Sequence, residues 1–362
     1  LQVSNDPAEN SIIKSKKSSY IISYIKNIFI VFWSGKIIRV SLDDVENFRT
    51  INKLNFYEVH TNLNSHKDNY DFIQQKNYWN GIKGALVVNG RIYLSYIKEH
   101  KKNCFNIGLL SADISDKSIK FSDFFTFKEC LDIHNEFTGV QSGGALLDIG
   151  NNEILLSVGD FRAYEKSQDI NSNFGKIHKI NLISKESKII AMGLRNPQGL
   201  VKIGNNIIVS DHGPKKGDEI NIFQLEQNKK DKIYNFGWPI SSYGYHYDDK
   251  FRKNAPLFKS HKDYGFIEPV YYFDIENHGI GRLEIWENKN NKKNFIALSL
   301  SGRNLYIFNL LEDGSVKLIE KFFLNNRLRD IKKIDQNTFL LTSEGIVTTF
   351  SILNLKIIND FN

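Results

Sequence analysis

Short apolar runs recur along the chain with brief polar connections between them, and no long helical pattern interrupts them. Ile28–Trp33 is followed by Lys36–Ser41, Ala85–Val88 by Arg91–Tyr96, and Ala145–Asp148 by Glu153–Val158. Gly199–Ile203 with Asn206–Ser210, Asn294–Ser299 with Asn304–Asn309, and Thr338–Thr342 with Gly345–Ile352 repeat the arrangement. The connections Asn89-Gly90, Gly150-Asn151-Asn152 and Gly204-Asn205 use residues suited to tight hairpin turns. Hairpins spread this way imply repeats of roughly 50 residues, within the range of propeller blades. The pattern predicts an all-β chain folded as a six-bladed β-propeller. A β-sandwich pair or a β-helix is the other architecture of this kind. The sandwich pair needs a linker, but the six prolines are scattered and no Pro/Gly/Ser-rich stretch occurs. Residues 1–18 are polar and read as an N-terminal arm, with 19–362 as a single domain.

Composition adds bounds. The chain has 362 residues, 41% of them hydrophobic, enough for a large core. A net charge of +7 is spread along the sequence rather than gathered into a basic stripe, so no nucleic-acid partner is expected. The apolar run Tyr20–Trp33 is broken by Lys26-Asn27 and is too short to cross a bilayer. It reads instead as strands Tyr20–Ile25 and Ile28–Trp33, and no membrane span is expected. Cys104 and Cys130 form neither a CxxC nor a disulfide framework. Buried thiols are the favoured reading, and pairing in an oxidising compartment is the alternative. Because the first residue is Leu, the chain is read as a processed product or a fragment.

Candidate chemistry is concentrated in Gly193–Tyr247. The Gly-Pro bend of Asp211-His212-Gly213-Pro214 can turn successive carbonyls toward one point, an arrangement suited to calcium. Asp218-Glu219-Ile220-Asn221 follows closely. In Arg195-Asn196-Pro197-Gln198 the arginine can make paired hydrogen bonds to a carboxylate. Arg327 and Arg329 alternate, so on a strand both guanidiniums face one side. Trp238, within Asn235-Phe236-Gly237-Trp238-Pro239, reads as packing between blades. Tyr243, Tyr245 and Tyr247 could stack on a sugar, though ordinary packing is the simpler reading. His178, on the Gly175–Ile180 strand, is assigned no chemistry.

These motifs together resemble the soluble quinoprotein glucose/sorbosone dehydrogenases, whose fold is a six-bladed propeller. The resemblance implies that Arg195, Asn196, Gln198, Arg327 and Arg329 contact pyrroloquinoline quinone (PQQ). It implies a calcium ion under the quinone on the carbonyls of Gly213 and Pro214. A second, structural calcium would use Glu219 and the carbonyl of Phe236, where the family usually has tyrosine. The implied activity is oxidation of an aldose-type sugar, and family members are usually periplasmic or secreted. The chain departs from the family in three places. Gln141, in Gln141-Ser142-Gly143-Gly144-Ala145-Leu146, stands where the family has a catalytic histidine, and a carboxamide cannot serve as a general base. Trp79 replaces a glutamine and Ser301 a lysine. His134 and His212 are the nearby histidines that could substitute as base. Two functions follow: a PQQ-dependent aldose dehydrogenase with a remodelled pocket, or a catalytically inert, calcium-stabilised propeller that binds a glycan or protein partner. A metal-dependent hydrolase would need a cage of carboxylates and histidines that the sequence does not suggest. The sequence does not specify substrate, oligomeric state or electron acceptor.

Overall fold

Burial along the strands shows why the apolar runs pair as they do. Second strands such as Asn27–Phe32 and Asn206–Asp211 are buried along nearly their whole length, because they lie between neighbouring sheets. An outer strand, Val316–Phe323, alternates half-buried and exposed, since one face meets water. The computed structural model describes residues 2–7, 18–47, 54–63, 81–133, 139–225, 232–248, 255–287, 293–344 and 350–356. The strands form mainly antiparallel sheets of four or five, with Tyr57–Thr61/Ser118–Ile119 and Ser187–Met192/Tyr234–Asn235 paired parallel. Their innermost members are Ser19–Tyr24, Ile82–Val88, Gly143–Gly150, Pro197–Ile203, Ile280–Glu287 and Arg327–Lys333. Each inner strand packs on the next, and the last packs on the first, which closes a ring. The apolar core is divided among the sheet interfaces. Phe29 and Leu94 share one cluster, Ile107 and Leu156 the next, Leu155 and Val209 a third, and Ile208 and Phe295 a fourth.

The inner strands approach closely because glycine lies at the contacts. A Cβ on Gly84 would stand 2.2 Å from the Gly144 carbonyl, and one on Gly199 would stand 2.6 Å from the Gly281 carbonyl. Any side chain there would force the blades apart. A serine near the end of the second strand then ties each such pair. Ser95 Oγ donates to the Gly144 carbonyl at 2.6 Å, Ser157 Oγ to the Pro197 carbonyl at 2.8 Å, and Ser210 Oγ to the Gly281 carbonyl.

The blade count requires a correction. The sequence predicts six blades from six hairpins, but the chain makes five blades built around strands that are near neighbours in sequence. Two of these blades gain a short outer strand from further on, Ser118–Ile119 and Tyr234–Asn235. The remaining sheet is a composite of both ends. It joins Arg327–Lys333, Thr338–Glu344 and Phe350–Lys356 to Gln2–Pro7, which pairs antiparallel with Phe350–Lys356. A hairpin count cannot distinguish a locally built blade from this closing sheet, because it registers only the Thr338–Ile352 pair. It also takes Gln2–Pro7 as part of an arm. The cysteine reading is corrected too: Cys104 and Cys130 form a disulfide across 26 residues. The Tyr20–Trp33 run forms two strands, Ser19–Tyr24 and Asn27–Phe32, and no helix of the described residues is long and apolar enough to cross a membrane.

Candidate functional site

Antiparallel pairing brings the starts of the inner strands and the ends of the second strands to one end of the ring. A cavity of about 490 Å³ opens there. Its wall carries Gln141, Arg195, Asn196, Gln198, Arg327 and Arg329, so six residues singled out in separate parts of the sequence converge. Lys83, His212, Ser301 and Glu344 join them, with Trp33, Ile82, Val140 and Leu300 as apolar lining. Three guanidiniums face one carboxylate, so the cavity favours an anion.

Arg195 is set by its backbone and its side chain together. Its N–H and that of Asn196 donate to the Asp211 carboxylate at 2.9 and 2.6 Å. Burial pushes the Asp211 carboxyl up to about 7 despite those donors. Nη1 of Arg195 donates to the carbonyls of His212 at 2.8 Å and Gly213 at 2.6 Å. Behind the guanidinium, 5.5 Å away, lies the Trp238 ring, whose Nε1 donates to Asp160 at 2.8 Å. Trp238 is therefore a support for the site, in line with its structural reading. The Asn196 amide oxygen accepts from the Gly143 N–H at 3.0 Å and from Gln198 Nε2 at 2.8 Å. This links the arginine loop to the turn that presents Gln141, whose φ of 56° is left-handed. The carbonyl of Gln141 accepts from the Phe161 N–H at 3.1 Å.

Across the cavity, Arg327 Nη2 lies 3.0 Å from Glu344 Oε1, and Arg329 Nε lies 3.6 Å from Oε2. Ser18 Oγ donates to Oε2 at 3.2 Å, and Arg327 Nη1 to Ser301 Oγ at 2.8 Å. Burial works to raise the Glu344 carboxyl, but the two guanidiniums hold it below the usual carboxylate range. Glu344 was not legible as a site residue from motifs. The signal that could have found it is register, because Arg327 and Glu344 are direct partners across one hairpin.

The expected calcium donors separate into two places. Gly213 and Pro214 follow His212 in the chain, but of the three only His212 lines the cavity. Their backbone is tight, since a Cβ on Gly213 would stand 1.7 Å from the Gly217 carbonyl. The Gly213 N–H donates to Asp218 at 3.0 Å, and the Pro214 carbonyl accepts from the Gly217 N–H at 3.0 Å. Asp218 is bound by the Ile280 N–H at 2.6 Å and by His278 Nδ1 at 3.1 Å, and His278 Nε2 reaches Tyr306 Oη at 2.9 Å. Burial opposes the charge on Asp218, yet the imidazoles of His212 and His278 and these donors keep its carboxyl below the ordinary range. Glu219 and Phe236 are buried elsewhere and already share a partner. His261 places Nδ1 2.7 Å from the Phe236 carbonyl and Nε2 3.3 Å from Glu219 Oε1. Burial opposes the charged imidazole, but Glu219 and the Phe236 carbonyl raise its pKa above the ordinary histidine value. His261 thus lies between the two expected calcium ligands. Among the described residues, no group of three or more His, Cys, Asp or Glu side chains could hold a metal ion.

Tyr243 stacks on Tyr272 with centroids 4.3 Å apart and donates to Glu268 at 2.9 Å, so it packs as expected. Tyr245 and Tyr247 are exposed, and none of the three lines the cavity. Trp79 and His134 lie outside the described residues.

Comparison with known proteins identifies the family and the fold. The sequence model of the family described as Glucose / Sorbosone dehydrogenase matches residues 83–348. Aldose sugar dehydrogenase YliI of Escherichia coli (strain K12) is 27% identical over 284 residues, covering 70% of this chain and 71% of that protein. Among solved structures, the apo-form of the soluble aldose sugar dehydrogenase (Asd) from Escherichia coli superposes with a TM-score of 0.73 at 16% identity. It covers 98% of this chain and 100% of its own. The PQQ-bound form of aldose sugar dehydrogenase (Adh) from Streptomyces coelicolor gives 0.70 at 14% identity, covering 98% and 99%. At these identities the structures speak for the fold alone.

Proposed function

The chain belongs to the glucose/sorbosone dehydrogenase family, and from that premise we propose that its arginine-lined cavity takes PQQ and an aldose-type sugar. The observation that carries this reading is the convergence of Arg195, Arg327 and Arg329 with Asn196 and Gln198 on one cavity of about 490 Å³. That volume suits a small organic ligand. The excess of guanidinium over carboxylate suits a polycarboxylate such as PQQ, and the residues present fit it. Arg327 and Arg329 would hold carboxylates on one side and Arg195 on the other. The carbonyl of Gly213 accepts from Arg195 and that of Pro214 from the Gly217 N–H, and because a carbonyl oxygen carries two lone pairs both could still hold calcium as oxygen ligands. When bound, the quinone supplies the acceptor for hydride lost from the sugar.

At the position of the family's base the chain binds and orients rather than deprotonates, and His212, on the same cavity wall, is the imidazole that could stand in for it. Gln141 can hydrogen-bond a sugar hydroxyl but cannot take its proton near neutral pH. That observation favours a second reading, a catalytically inert, calcium-stabilised propeller that keeps a ligand cavity for a glycan or a protein partner. We take residues 19–362 as one domain, with Gln2–Pro7 joined to its closing sheet. A periplasmic or secreted location is supported by the Cys104–Cys130 disulfide, a bond of oxidising compartments. The spread of charge supports no nucleic-acid partner. Titrating purified protein with PQQ and calcium, while following dye reduction across a panel of aldoses, tests the reading. Binding with turnover supports the dehydrogenase. Binding without turnover supports the inert propeller, and a Gln141→His variant that gains turnover would show that the missing base is the defect. No binding removes the cofactor assignment.

A further inference from the structure

Lys83 is the cavity's unexplained group. It lies on the inner strand Ile82–Val88, and its stem runs along the backbone of the neighbouring blade. A Cβ on Gly144 would stand only 2.3 Å from Lys83 Cβ, so the glycine at 144 makes room for the lysine. Nζ donates to the Gly139 carbonyl at 3.3 Å, and Arg282 Nη2 donates to the Lys83 carbonyl at 3.4 Å. The side chain is partly accessible because it opens on the cavity, but the cavity lies inside the ring. Burial there, followed by the charge of Arg329 and only partly offset by Glu344, lowers the amine to about 7. Near neutral pH a large fraction of Lys83 therefore carries a lone pair, as an imine-forming lysine requires. Lys176 makes the contrast. It is also buried, but it lines no part of this cavity.

We propose that Lys83 is a carbonyl-capturing site, forming an imine with the aldehyde or α-keto group of a small organic anion whose carboxylate is held by the cavity arginines. Nζ attacks the carbonyl carbon, the C=O pair moves to oxygen, and a C=N bond forms. Both amine protons depart with that oxygen as water, so the step needs no oxidant or reductant. Arg327, Arg329 and Arg195 supply the anion's seat in the same enclosure. The assignment requires neither the quinone nor calcium, so it stands or falls apart from the sugar-oxidation reading.

The test uses glyoxylate, the smallest anionic aldehyde, with borohydride to fix any imine, followed by peptide mass mapping of the full chain. At pH 7 we expect Lys83 to be labelled at least tenfold faster than the average lysine, with labelling rising through about pH 7. Surface lysines should follow only toward their ordinary range. Burial sets that midpoint first; of the charged groups facing the amine, Arg329 lowers it and Glu344 raises it, and Arg282 bonds the backbone carbonyl. Acetaldehyde, which lacks the carboxylate, should label Lys83 at least tenfold more slowly, and Arg329→Gln should bring glyoxylate down to that rate. A Lys83 that labels no faster than average overturns the proposal. Equal labelling by acetaldehyde overturns the anion class. Lys83→Arg should erase the fast site, and if that variant does not fold, the wild-type mapping still decides.

Discussion

Glu344 sets the charge of the cavity at the scale of one residue. It neutralises Arg327 and braces Arg329, and it accepts from Ser18. An incoming carboxylate must compete with it for the same guanidinium protons. Removing a unit charge about 4 Å away changes an interaction by about 1–4 kcal/mol, depending on the local dielectric. Glu344→Gln should therefore raise the affinity for PQQ, or for a simpler carboxylate, by about tenfold or more. The gain should shrink as salt is added. The same change leaves two arginines underpaired, so thermal stability should fall. Titration of wild type and variant at low and high salt, with melting curves, checks both effects. Unchanged affinity would mean that the anion does not use Arg327 and Arg329.

At the scale of elements, His261 and His178 show how a buried imidazole can have opposite roles. His261 bridges Glu219 and the Phe236 carbonyl where a metal ion was expected. His261→Ala opens that seat and leaves a buried carboxylate without its cation, a loss of about 3–5 kcal/mol. Calcium should restore part of the variant's melting temperature and should have a smaller effect on wild type. If added calcium shifts both proteins equally, the imidazole is not standing where a cation would bind. His178 lies against Phe127, bonds the Asn173 carbonyl through Nε2 at 3.0 Å, and is pushed down to about 4 by burial. Its folded pKa lies below the ordinary 6.5, so the folded state resists protonation there. The stability it permits is full above pH 6.5 and is lost as pH falls toward 4, about 3 kcal/mol in all. Denaturant midpoints of wild type and His178→Gln between pH 8 and pH 4 should diverge in that window, with the variant flatter. Hairpins and the arginine spacing were legible in the sequence because period and turn chemistry are local. His261, Lys83 and Glu344 were not legible from motifs, because their roles depend on neighbours far away in the chain.

The whole molecule depends on a seam that no local pattern records. The ring closes where the last inner strand meets the first, and Asp330 holds that junction. Its Oδ2 accepts from the Ile21 N–H at 2.6 Å, 309 residues away in sequence, and its Oδ1 lies 3.6 Å from Arg282 Nε. Arg282 in turn sits 4.9 Å over the Tyr20 ring. Counting hairpins gives the number of sheets but not how the final one is assembled, so the closing sheet was read as one more blade. Asp330→Ala leaves a buried N–H and a guanidinium without their acceptor, which costs about 3–5 kcal/mol. Asp330→Asn keeps an acceptor for Ile21 and should lose less. The location of the loss is the sharper test. Hydrogen exchange should accelerate first in Ser19–Tyr24, Arg327–Lys333 and Thr338–Glu344, while the sheet containing Asn206–Asp211, on the far side of the ring, keeps its protection. Uniform acceleration around the ring would mean that closure is shared by every blade interface and that Asp330 is only one buried ion pair among several.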